Sequence, residues 1–318
     1  MRAGAASWVI LGSALASPLP AQTPAPGPAV RFSGYLQGRE TYQQGVGLTA
    51  TLNRARLTTT GTLPGSIAWR LQGEFRTGSV GTGRASVSLQ DAYVRWTRGG
   101  LGLQVGQFKT PFTREFLTPL PEVETADRST VVDSLAPKRD IGLMADYAVG
   151  GRGTAALGVF NGNGQNVTSN PDSNVLAIAR VTYRPIPFLV LGANGAHYFA
   201  GADSTRYGVD LSIEAPWGIV RGEYVGQHRQ GTSSGDDRGW YLLGAAPVQP
   251  WLQPIAKYEW FNRPIVARDA QKNRAWTLGV NLFPWGRTTR FTLEYITRKV
   301  GVPGTRAGTG LAQAQVVF

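Results

Sequence analysis

The sequence predicts an all-β protein, a transmembrane antiparallel β-barrel of about sixteen strands with short periplasmic turns and longer extracellular loops. Three observations predict it. Segments of about ten residues alternate apolar and polar side chains with period two. Short and long connections interleave between them. Trp residues fall beside both sets of connections, where an aromatic ring straddles a membrane interface. Composition agrees: of 318 residues 42% are hydrophobic and only 16% charged, and 41 Gly and 20 Pro are too many helix breakers for a bundle or coiled coil.

The chain opens on an address. Arg2 precedes an uncharged apolar stretch over 3–16 and then small residues over 17–22, the pattern of a secretory signal peptide over 1–21 cleaved after Ala21, or alternatively after Ala16. The apolar part is shorter than the roughly 20 residues a spanning helix needs. Residues 22–29, rich in Pro and Ala, read as a flexible lead-in, and the barrel occupies 30–318.

Along that barrel, Val175, Ala177, Ala179, Val181 and Tyr183 share one face, while Asn174, Arg180, Thr182 and Arg184 share the other, with Leu176 and Ile178 out of pattern. Tyr207, Val209, Leu211 and Ile213 oppose Arg206, Asp210, Ser212 and Glu214. Phe291, Leu293, Tyr295 and Thr297 oppose Arg290, Thr292, Glu294 and Arg298, with Ile296 as the exception. A soluble sandwich alternates in the same way, so connection lengths decide. Short ones are expected at 62–66, 98–100, 184–187, 215–218, 247–250 and 284–287, and long ones at 77–84, 109–137, 161–172, 230–237, 262–272 and 299–307. Interleaving with an even strand count puts both termini on the short-turn side. Trp69, Trp96, Trp217, Trp251 and Trp285 sit near the short set, and Trp240, Trp260 and Trp276 near the long set. The last strand carries Ala312, Ala314, Val316 and the terminal Phe318 on one face, similar to the sorting signal of bacterial outer-membrane barrels.

Several segments carry a resemblance. LQDAYVRW (89–96), GQFKTPFTREFLTP (106–119), DRSTVVDSLAPKRDIGL (127–143) and GVFNGNGQN (158–166), in that order and spacing, resemble the phosphate-selective porin O and P family, as does NRARLTTTGTL (53–63). The resemblance covers the first half of the chain and implies a bacterial outer-membrane porin. It also implies a sixteen-stranded barrel, usually a homotrimer, whose pore favours phosphate or polyphosphate through basic residues at a constriction.

The residues themselves supply the chemistry of such a pore. A barrel of about sixteen strands encloses water, so its inward face tolerates charge. By parity about fourteen basic side chains, Arg39 among them, face inward against about eight acidic ones, including Glu223, Glu259 and Glu294, a balance that favours anions, although many are expected to pair across strands. Residues 109–138 are too long for a hairpin connection and are expected to narrow the pore. Lys109, Arg114, Arg128, Lys138 and Arg139 there, with Arg54, Arg56 and Arg70 from the wall, are the candidate constriction and anion-binding residues.

Other functions are poorly supplied. No Cys and only His197 and His228 leave no thiolate metal site, thiol nucleophile or disulfide. No nucleophile-elbow, phosphate-loop, zincin or EF-hand motif occurs. The expected protein is therefore no enzyme and has neither cofactor nor metal. It is a passive diffusion channel of the outer membrane preferring small anions, with phosphate or polyphosphate the anions the resemblance implies. The alternative is a barrel acting as a surface receptor or adhesin through its loops. The net charge of +12 sits in a secreted, alternating chain, which points to small anions beside outer-membrane lipid and not to nucleic acid.

Overall fold

The computed structural model describes residues 30–76, 83, 85–170, 173–199, 204–230, 235–263, 272–300 and 305–318. The expected signal peptide and lead-in lie outside the described residues. The strands of the first half are β1 (Arg31–Gln43), β2 (Gly47–Leu63), β3 (Ile67–Arg76), β4 (Ser86–Arg98), β5 (Leu101–Lys109), β6 (Arg139–Val149), β7 (Gly153–Phe160) and β8 (Val175–Ile186). Those of the second half are β9 (Leu189–Phe199), β10 (Ser204–Ala215), β11 (Gly218–Arg229), β12 (Gly235–Ala245), β13 (Leu252–Asn262), β14 (Lys272–Leu282), β16 (Thr289–Val300) and β17 (Thr305–Val317); the short β15 (Pro284–Arg287) lies in the turn between β14 and β16.

Sixteen of these close an antiparallel barrel in which each strand pairs with its neighbour in sequence and β1 pairs with β17. Closure has a local cause at the terminus. The Phe318 and Gly34 backbones exchange hydrogen bonds of 2.8 and 3.0 Å, and a Cβ at Gly34 would collide with the Phe318 ring, so only glycine leaves room for the last side chain. Among the described residues no helix is long and apolar enough to cross a membrane.

The faces are inverted relative to a soluble protein. Leu71, Val105, Leu157, Val181, Val209, Leu278 and Leu293 project outward and are exposed, whereas Gln37, Gln72, Arg180, Asp210 and Gln315 are buried on the inside. Inside, polar groups satisfy one another across strands: Gln37 donates to Gln315 at 2.7 Å, and Arg180 makes a two-pronged pair with Asp210 at 2.7 and 3.0 Å. Trp217, Trp251 and Trp285 are exposed beside the short turns, and Trp240 and Trp276 at the opposite end, where both contact the Tyr258 ring at 5.3 and 4.8 Å.

Two connections differ from the sequence reading. β16 reaches Val300 and β17 begins at Thr305, so residues 299, 300 and 305–307 of the long loop expected over 299–307 belong to strands, and 301–304 lie outside the described residues. On the same side β1 and β2 are joined by only residues 44–46, a tight hairpin permitted by Gly45 and Gly47 at φ 81° and 106°. Register shifts on three strand pairs also break strict alternation, one of them between Tyr183 and Ile186 where β8 meets β9. Gln37 pairs with Arg54 and Gly38 with Leu52, leaving Asn53 extra; Gln72 pairs with Asp91 and Gly73 with Leu89, leaving Gln90 extra.

Candidate anion constriction

Between β5 and β6, residues 110–138 leave the wall and enter the lumen. Pro111, Pro119, Pro121 and Pro137 prevent a long helix, so the segment holds only α1 (Arg114–Leu117), a 3₁₀ turn at Leu120–Glu122 begun by prolines, and α2 (Thr130–Leu135). Its apolar side chains, Phe112, Phe116, Val131, Val132 and Leu135, are buried inside the barrel against Leu176, Ile178, Val225, Leu243 and Phe261. Leu176 and Ile178, the exceptions to alternation on β8, are thus the wall's docking surface for this segment.

The wall also satisfies the segment's backbone. Glu223 on β11 accepts from the amides of Arg114 and Glu115 at 3.0 and 2.6 Å and from Tyr241 Oη at 2.7 Å. Glu259 on β13 accepts from the Thr130 amide and Glu294 on β16 from the Ala126 amide. Asn281 donates to the Glu124 carbonyl at 2.8 Å, Arg290 to Val123 at 2.7 Å and Gln315 to Pro121 at 3.2 Å. This corrects the parity count: Glu223, Glu259 and Glu294 face inward, but they hold the inserted segment and do not line water.

Because α1 and α2 pack on β11 to β13 and the middle of the segment is stitched to β14, β16 and β17, the inserted segment leans on one side of the barrel and faces β1 to β6 on the other. There the basic residues gather. Arg39 and Arg54 both bind Asp127, at 2.7 and 3.4 Å. Arg56 pairs with Glu74 and lies 5.8 Å from the Tyr35 ring centre. Arg70 and Arg139 share Asp91 at 3.1 and 2.8 Å. Lys109 and Arg128 stand 5.5 and 5.1 Å from the centre of the Phe116 ring.

The last two differ from the rest in their partners. Lys109 Nζ donates to the carbonyls of Leu117 and Thr118 at 3.1 and 3.0 Å, and Arg128 to those of Glu115, Phe116 and Thr118 at 3.0, 3.2 and 3.0 Å. Carbonyls satisfy these donors, and for Arg128 they do so without a carboxylate to neutralise the guanidinium. Burial pushes the Arg128 guanidinium down to about 10; Glu115 opposes that shift, while Arg139, Arg54 and Arg56 add to it, so four guanidiniums act on one another here. Across this group, Arg39, Arg54, Arg56, Arg70, Lys109, Arg128 and Arg139 face the carboxylates of Glu74, Asp91, Asp127 and Glu115. Cations exceed anions.

Of the eight candidates from sequence, six, Lys109, Arg128, Arg139, Arg54, Arg56 and Arg70, come together. Arg114 stands apart on the far wall, donating to Tyr241 Oη at 2.8 Å with Glu223 at 3.8 Å. Lys138 is exposed and 3.5 Å from Asp133. Sequence reasoning missed Arg39 as a member and Asp127 as its tether; Arg39 was legible as an inward cation, but its partner lies 88 positions away. No group of acidic or His side chains among the described residues could hold a metal ion.

A closed barrel with an apolar exterior, a water-compatible interior and a segment folded into the lumen defines an outer-membrane porin. The chain belongs to the phosphate-selective porin O and P family, whose profile matches residues 33–230; it resides in the bacterial outer membrane. Solved structures share the fold. The trimer form of in-vitro folded OmpT from Vibrio cholerae is 14% identical, with a TM-score of 0.69 over 92% of this chain and 99% of that one. An anion-selective porin from Comamonas acidovorans is 15% identical, with a TM-score of 0.66 over 92% of this chain and 100% of that one. A Rhodopseudomonas blastica porin triple mutant is 14% identical, with a TM-score of 0.60 over 91% of this chain and 100% of that one. No curated protein sequence matches the chain.

Proposed function

We propose that this porin is a passive diffusion channel preferring small anions, phosphate among them, and that its constriction is the basic group between the inserted segment and β1 to β6. The observation that carries this reading is that the Arg128 guanidinium is satisfied by carbonyl oxygens and by no carboxylate, in a group where guanidiniums outnumber carboxylates. A positive field in a narrow, low-dielectric passage raises local anion concentration. Neither a nucleophile nor a metal is required, and the family supports a channel and not a catalyst. Three copies assembling through their outer walls is the second part of the proposal, supported by the trimer form of the Vibrio cholerae relative.

Planar-bilayer recording tests the channel: ohmic steps whose reversal potential in a KCl gradient reports chloride preference are expected, and cation preference overturns the reading. Inorganic phosphate added to chloride solutions is expected to lower the current saturably if the constriction holds it, since a guanidinium fork matches its oxygens. A purely linear effect removes phosphate as a ligand and leaves it a permeant. Chemical cross-linking in native membranes tests the trimer.

A further inference from the structure

We propose that a second binding site stands on the outer side of the constriction, a pocket for a small organic anion in which Arg206 takes the charged head. A cavity of about 400 Å³ lies between the returning arm of the inserted segment at Ala136 and Lys138, the β7–β8 connection near Gly164, and the lumen face of β8 to β11. That volume falls within the range of small-molecule sites, about 300–1,000 Å³.

Arg206 is the third cation beside one carboxylate. Asp237 on β12, its side chain fully buried, spends one oxygen on Arg229 and the other on Arg263, each at 3.1 Å. Arg206, whose surroundings include Arg263, Asp237 and Tyr198, has no ion pair or hydrogen bond among the described residues, and its Nε is buried without a partner. A guanidinium left so is costly, and an arriving oxyanion restores its hydrogen bonds in a forked geometry.

The rest of the pocket suits an organic body. Leu176 and Ala196 give it an apolar floor, Tyr198 and Gln227 supply a ring and an amide, and Lys138 stands at its margin. The ring wall is built: Gly162, at φ 81°, lets the Tyr198 ring lie against its backbone where any Cβ would collide. An inorganic ion has no use for such a floor. Carboxylate and phosphate monoester heads share the chemistry Arg206 offers. Arg139 lines this cavity and also binds Asp91 in the constriction, so a solute held here waits beside the narrow passage.

The proposal rests on the channel reading only in that solutes must enter the lumen, and its test separates the two. With the purified porin in a planar bilayer, benzoate and phenyl phosphate added from the loop side are expected to block chloride current saturably, while acetate at equal concentration, which lacks the organic body, leaves no such block. Arg206→Gln is expected to raise the half-blocking benzoate concentration roughly tenfold, the loss of a charge-assisted contact, with chloride preference in KCl retained. Lys138→Glu, at an exposed position that folding does not depend on, is expected to weaken the block several-fold. Absence of benzoate block, equal block by acetate, or unchanged block in Arg206→Gln overturns the pocket whatever the selectivity; loss of chloride preference in the unaltered channel overturns the constriction and leaves the pocket standing.

Discussion

Arg39 on β1 grips Asp127 of the inserted segment through two parallel hydrogen bonds, Nη1 to Oδ2 at 2.7 Å and Nη2 to Oδ1 at 3.0 Å. The pair fastens the part of the segment nearest the passage to the first strand. Burial raises the Asp127 carboxyl, but the hydrogen bond and charge of Arg39, joined by Arg54, outweigh it and hold the carboxyl below its usual range. A depressed carboxyl contributes stability above its unfolded value and loses it as pH falls through the folded one.

Arg39→Ala is therefore expected to loosen the segment at neutral pH. With the Asp127 side chain 47% exposed, the stability lost is small, about 1 kcal/mol or less. Single-channel recordings should show more open-state noise. Acidification below about pH 4 should produce the same noise in the unaltered porin, and little further change in the variant. Identical noise at pH 7 in both proteins removes the tether.

The apolar anchor should matter more than the ionic one. Phe112 is fully buried between the segment and the wall, so Phe112→Ala is expected to cost about 3–5 kcal/mol of the docking energy. The segment then leaves the wall for part of the time. Raised conductance and protease cleavage within residues 110–138, with the barrel still resisting detergent, are the expected readouts; an uncleaved segment and unchanged conductance count against the docking.

The barrel itself is tested by one pair of substitutions. Leu293→Arg puts a charge on the lipid face and is expected to lower folding into bilayers by about 2–4 kcal/mol if near the midplane. Ser33→Arg, on the lumen face of β1 opposite Thr58, should be tolerated. Denaturant titrations in vesicles measure both, and equal costs refute the assignment of faces.

What was legible in the sequence was what depends on near neighbours. Alternation gave the two faces because successive strand side chains point to opposite sides, and it broke where Asn53 and Gln90 add a residue at a bulge, where the β8–β9 register shifts after Tyr183, and where Leu176, Ile178 and Ile296 stand out of pattern. The inserted segment was legible as a long stretch without alternation. Its receptor was not: Glu223, Glu259 and Glu294 read as pore-lining charge, because nothing local tells a carboxylate facing water from one accepting amides 108 to 168 positions away. Leu176 and Ile178 did carry the signal, since two apolar side chains on a lumen face need something to cover them. Of the candidate site, the six clustered cations were legible by type and face, whereas the displacement of Arg114 to the far wall follows from which way α1 turns, fixed by Glu223 and Tyr241.

Selectivity should respond to salt in a way that locates its source. If the charge of Arg128 and the guanidiniums around it sets it, chloride preference should weaken as ionic strength rises, because the Debye length falls from about 10 Å at 0.1 M to about 3 Å at 1 M. Lys109→Gln with Arg128→Gln should remove most of the preference measured at low salt, since both sit where the passage is narrow and low-dielectric walls are close. Lys138→Gln is the contrast: at 59% exposure and paired with Asp133, it is screened by solvent and should change the reversal potential little. The Arg128 guanidinium, though lowered to about 10, stays charged throughout the neutral range, so the preference should not decline between pH 6 and pH 8, windows chosen well below that value. Burial raises the Glu115 carboxyl above its ordinary value despite Lys257, Ser129 and Arg114, so it takes up a proton earlier than an exposed carboxylate as pH falls. Removing that negative charge beside Arg128 should strengthen chloride preference on mild acidification, before Asp127 lets go. A Glu115→Gln porin should already show the strengthened preference at pH 7 and no such rise on acidification; a rise of the same size in both proteins places the titrating group elsewhere.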